Sequence, residues 1–60
     1  MRNYYHVIEE SGYENIGSHG YFETHDEAKK QVERLQDFFP NSFFYVYSSN
    51  SKKEPEFITI

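Results

Sequence analysis

The sequence predicts a small α+β domain of order β-β-α-β-β, with one helix packed on one face of a mainly antiparallel sheet of three to four strands. Three observations carry this. Residues 24–39 hold the chain's only helical periodicity. The segments on either side alternate, or run aromatic and β-branched, as strands do. A helix with a single apolar stripe must bury it against something, and in 60 residues that partner is a sheet.

The first strand runs from Tyr4 to Glu9, with Tyr5 and Val7 on one face and Tyr4, His6 and Ile8 on the other. Glu10-Ser11-Gly12-Tyr13 has turn chemistry, and Gly12 can take positive φ. Residues 15–23 read as a second strand, with Gly17 and Gly20 marking bulges or a bend. Gly17-Ser18-His19-Gly20 is no phosphate loop, because it lacks the lysine and the glycine spacing.

The helix opens on Thr24-x-x-Glu27, a capping box. The Thr24 hydroxyl is expected to accept from the Glu27 amide, and the Glu27 carboxylate to reach back to the amide of Thr24. Asp26 and Glu27 also place negative charge at the positive end of the helix dipole. Ala28, Val32, Leu35 and Phe39 form the apolar stripe and Phe38 falls to one side of it. Pro40 ends the helix.

After a turn at Pro40-Asn41-Ser42, residues 43–48 (FFYVYS) give the strongest strand signal in the chain. Residues 49–55 (SNSKKEP) read as a solvated loop, with Lys52 and Lys53 as gatekeepers beside an aggregation-prone segment. Residues 56–60 read as the last strand. The helix-covered side is expected to hold Tyr5, Val7, Ile16, Phe22, Phe44, Val46, Ile58 and Ile60. Alternation then sends Tyr4, His6, Ile8, His19, Tyr21, Phe43, Tyr45, Tyr47 and Phe57 to the open side.

Sixty residues make one domain, 1–60, with little core to spend. Twelve of the 22 apolar residues are Phe or Tyr, so large rings supply the buried area that a short chain otherwise lacks. Cysteine is absent, which removes disulfides and thiolate metal sites and is compatible with a cytoplasmic location. There is no apolar run of membrane-spanning length and no apolar segment of the kind a signal peptide needs.

Residues 1–28 carry six acids and one base, a net of −5, and residues 29–60 carry four acids and five bases, a net of +1. An acidic surface opposes phosphate backbones, so general nucleic-acid binding is disfavoured.

Catalytic, cofactor-binding and metal-binding residues are not expected. His19 and His25 are six apart across a strand–helix junction, which matches no zinc signature, and His6 sits among strand aromatics. The serines cluster in turns, where local hydrogen bonding accounts for them. Glu9 and Glu10 point to opposite faces and form no carboxylate pair. An enzyme is therefore not expected.

The open face is expected to be the functional surface, with Tyr4, His6, Tyr21, Phe43, Tyr45 and Tyr47 as its partner-binding residues. It carries more aromatic area than a monomer ordinarily exposes, and tyrosine suits interfaces because its ring is apolar while its hydroxyl stays wet. The partner is a protein or a second copy of the chain. Alternatively, the termini or loops fold over this face, or the rings stack on single-stranded bases; against the last stand the net charge and the missing ribonucleoprotein motif.

The strings YYHVIEESGY, GYFETHDEA and FFPNSFFYVYSS together resemble small proteins of tailed phages, particularly the T4-like phages of cyanobacteria. A weaker similarity, through Phe22, Thr24, Asp26, Glu27 and Ala28, is to the small acidic phage protein that inhibits host RNA polymerase. These are capping and core positions, so the similarity implies shared shape. The resemblance implies an accessory viral protein that works in host cytoplasm by binding a macromolecule. Two other roles remain: an acidic nucleic-acid mimic, and a homodimeric assembly protein.

Overall fold

The computed structural model describes residues 2–12 and 14–56. It is an α+β fold of order β1 (Tyr4–Ser11), β2 (Glu14–Phe22), α1 (His25–Phe38) and β3 (Phe43–Ser49). The three strands form one antiparallel sheet in the order β2-β1-β3. Both outer strands run antiparallel to β1 and hence parallel to each other. A connection between parallel strands needs a crossover, and α1 supplies it. The fourth strand expected at 56–60 lies outside the described residues except for Glu56, which is in a turn.

The helix begins where its cap was expected. Thr24 is extended, at φ −126° and ψ 148°, and its hydroxyl oxygen accepts from the Glu27 amide at 3.3 Å. The second half of the box differs: the Glu27 carboxylate accepts from the Thr24 hydroxyl at 2.9 Å instead of reaching the Thr24 amide. At the far end the Phe39 amide donates to the Leu35 carbonyl at 2.8 Å, and Pro40 follows.

The helix lies mainly over β3 and β1. Beneath it Val7, Ala28, Leu35 and Phe44 form the buried cluster, flanked by Tyr5, Phe22, Val32 and Val46. This is the face that alternation predicts. Pairing of β1 with β3 runs without a shift from Tyr4↔Ser49 to Glu10↔Phe43, so the two faces keep their identity along both strands.

β2 does not keep its faces. Its register against β1 slips twice, between His6 and Ile8 and again between Glu9 and Glu10. Each slip puts one extra residue into β2, which is a β-bulge. Gly20, at φ 93°, makes the first turn of backbone possible. Two expectations are corrected here. Ile16 was expected in the core; it sits at the second slip and is exposed. His19 was expected on the open face; the first bulge turns it toward the helix side, edge-on to Phe44 with ring centroids 5.5 Å apart.

Candidate binding surface

The sheet face away from the helix carries the residues expected to bind a partner, and part of it is covered. Ile8 is fully buried there, although alternation puts it on the open side. His6 is 1 % exposed. Its Nε2 lies 2.8 Å from the carbonyl oxygen of Ser51, and a carbonyl only accepts, so the ring must donate from Nε2. Nearby, the Lys52 ammonium stands 5.6 Å from the centre of the Tyr4 ring, within cation–π range. Residues 51–53 thus fold back onto the sheet. The expectation of a platform shielded on one side only is corrected: the polar segment after β3 lies against its other side.

The rings on this face pack on one another. Tyr4 meets Tyr21 edge-on at 5.3 Å. His6 lies between Tyr21 at 5.9 Å and Tyr47 at 6.5 Å. Of the six expected partner-binding residues, His6 is therefore buried, Tyr4 and Tyr45 are half-buried, and Tyr21, Phe43 and Tyr47 are exposed. The structure brings Tyr4, His6, Tyr21 and Tyr47 together in one ring cluster. Phe43 stands at the other end of β3, across from Glu10.

Between the end of β3 and the returning segment lies a hollow of about 450 Å3, walled by Tyr47, Ser49, Ser51, Lys53, Glu54, Pro55 and Glu56. It mixes an aromatic wall with hydroxyls, one cation and two carboxylates. A second hollow of about 420 Å3 lies beside Arg2, Asn3, Tyr5 and Glu23, where the Arg2 guanidinium meets the Glu23 carboxylate at 3.1 Å.

A further polar cluster sits under the bulge on the helix side. His19 Nε2 is 2.7 Å from Glu9 Oε1, and the Ser42 hydroxyl also donates to Glu9. The His19 hydrogen bond, opposed by burial and aided by Ser42, holds the Glu9 carboxyl below the usual carboxylate range. In a serine–histidine–acid relay the imidazole stands between hydroxyl and carboxylate. Here the carboxylate stands in the middle, so the hydroxyl gains no base from the histidine. Sequence reasoning missed this cluster because strict alternation puts Glu9 and His19 on opposite faces. The only signal for it was the pair of glycines that permits the bulge.

Among the described residues no group of three or more histidines and acids is placed to hold a metal ion. Nor is any helix there long and apolar enough to cross a membrane.

Fold and surface together define a small acidic α+β domain with an aromatic sheet face partly covered by its own chain. No family model matches it, and neither a curated protein nor a solved structure is significantly similar.

Proposed function

We propose that this is an accessory viral protein that acts by protein–protein contact and not by catalysis. Its contact surface is the uncovered part of the aromatic sheet face, centred on Tyr21 and Tyr47 with Phe43 at the rim. The observation that carries this reading is that Tyr21 and Tyr47 stay exposed while Tyr4 and His6, which pack on them, are drawn into the fold, with Phe43 exposed at the far end of β3. Rings held in place by aromatic neighbours lose little freedom on binding, which favours them as anchors. The viral origin rests on the resemblance of the strings quoted above.

The test is affinity capture from a bacterial host lysate with the full chain as bait. A specific protein should be retained, should stay bound in high salt, and should be lost with Tyr21→Ala or Tyr47→Ala. Retention of the same protein by both variants would overturn the assignment.

A second reading has its own support. Glu23, Asp26 and Glu27 are all exposed around the start of the helix, within the strongly acidic first half of the chain. They would suit a mimic of nucleic acid that occupies a basic groove on a host protein. That complex would weaken steeply with added salt, whereas a ring-mediated one would not.

A further inference from the structure

Phe38, Phe39 and Phe43 stand on a single turn and are 72 %, 50 % and 67 % exposed. Hydrogen bonds fix the turn: the Ser42 amide donates to the Phe39 carbonyl at 3.1 Å, and Gln36 Nε2 donates to the Ser42 carbonyl at 2.6 Å. Phe39 is partly used by the fold, its ring 6.3 Å from that of Phe44. Phe38 and Phe43 belong to no part of the core cluster. Holding two such rings in water has a cost that the fold itself does not require.

The turn also opens a run of fourteen residues, 38–51, with no acid, lysine, arginine or histidine, in a chain that is 27 % charged. We propose that this turn is where two copies of the chain associate about a two-fold axis. In such a contact each patch meets its own image and the residues near the axis face their own copies, so a charge there would meet its own sign. The turn from Phe38 to Phe43 carries no charge, so its centre can pair with itself on a protein of net charge −4, with Asp37 and Glu10 left at its edges. A partner recognised by charge would need charges here to recognise.

The area agrees. At about 200 Å2 for a phenylalanine ring, the three exposures sum to roughly 380 Å2 on each copy. That is near the upper size for an apolar patch left bare on a monomer. Two copies would remove about 760 Å2, and the exposed flanking Pro40 and Asn41 add to it. This is below the size of a stable specific interface and suits a weak, reversible dimer. The inference shares only Phe43 with the partner surface proposed above, since Phe38 and Phe39 lie outside the sheet.

Sedimentation equilibrium of the full chain from micromolar to millimolar concentration tests it. A reversible monomer–dimer equilibrium is expected. Phe38→Glu and Phe43→Glu, both at exposed positions, should each weaken it by about tenfold or more. Lys30→Gln makes the same change in net charge at an exposed position two turns earlier in the helix and should leave it unchanged. Added salt should strengthen the dimer by screening the repulsion between two acidic chains. A strict monomer at millimolar concentration, a dimer indifferent to both glutamate variants, or a dimer loosened by salt would each overturn the proposal. None of these outcomes touches the capture experiment with Tyr21→Ala and Tyr47→Ala.

Discussion

The His6 ring donates from Nε2 to the carbonyl of Ser51 across 2.8 Å, tying the middle of β1 to a segment 45 residues further along the chain. The ring is buried between Tyr21 and Tyr47, and the bond decides how much of the aromatic sheet face a partner can reach. Replacing His6 with alanine removes both the bond and the ring. The Ser51 carbonyl loses its partner and a void opens in the ring cluster, at a cost of about 2–3 kcal/mol in urea unfolding. His6→Phe should recover part of that loss, because it refills the space without restoring the donor. In both variants the amides of residues 50–54 should exchange faster with deuterium. Unchanged exchange there would show that the segment is held by something else.

Gly20 is held at φ 93°, where a side chain is strained even though open space surrounds the place a Cβ would occupy. Gly20→Ala should therefore cost about 1–3 kcal/mol from backbone strain alone. For a domain of this size each kcal/mol is worth roughly 4–8 °C in melting temperature. Gly17 has equal space and no positive φ, so Gly17→Ala should be close to neutral. Calorimetry of the two variants separates strain from crowding: equal shifts would mean that the bulge is not what demands glycine.

These positions also show what could and could not be read from the sequence. Residues 4–10 and 43–49 contain no glycine, so alternation assigns their faces and the β1–β3 register keeps them. The helix start was legible because a cap is a local hydrogen-bond pattern, and Thr24 carries it. β2 was not legible in the same way. Glycines announce a bulge but not how many residues it inserts, and one inserted residue sends His19 to the other face. A loop folding over the open face was one of the alternatives, but that residues 51–53 are the segment could not be read, for a different reason. Their return rests on a carbonyl accepting from His6 and a lysine placed over Tyr4, and neither leaves a trace in hydrophobic periodicity. Hence the aromatic surface was foreseen, but not the burial of His6 at its centre.

The bulge has an electrostatic consequence that can be titrated. Glu9 has its pKa lowered, first by the hydrogen bond from His19. A carboxyl depressed in the folded state contributes stability above its unfolded pKa and loses it as pH falls through the folded pKa. Stability should thus decline on acidification below the ordinary carboxylate range, where protonating Glu9 breaks the 2.7 Å contact. In His19→Ala the Glu9 carboxyl, followed by carbon-detected NMR, should titrate closer to its ordinary value, with Ser42 retaining some of the depression. An unshifted midpoint in that variant would mean that the pair is a contact without energetic coupling.

Tyr45 gives the alkaline counterpart. Burial raises its pKa above the usual phenol value, and the charges of Glu10 and Tyr47 push in the same direction. Both neighbours are placed by the sheet: Tyr45 pairs across from Ile8, Glu10 lies two residues along the same face of β1, and Tyr47 lies two along β3. For a phenol the raised pKa favours the neutral form in the folded state. That contribution is complete below the unfolded pKa of about 10 and is lost as pH climbs from there through the folded value. Phenolate absorbance should therefore include a late component above the usual phenol range, and unfolding should accompany its ionisation. Glu10→Gln removes one of the three causes, so it should bring this late titration down without abolishing it, because burial is the largest. Tyr45→Phe should remove the late component and leave the protein more resistant to alkali. If the late component survives in Tyr45→Phe, another tyrosine carries it, and the half-buried position of Tyr45 on this face has no titratable consequence.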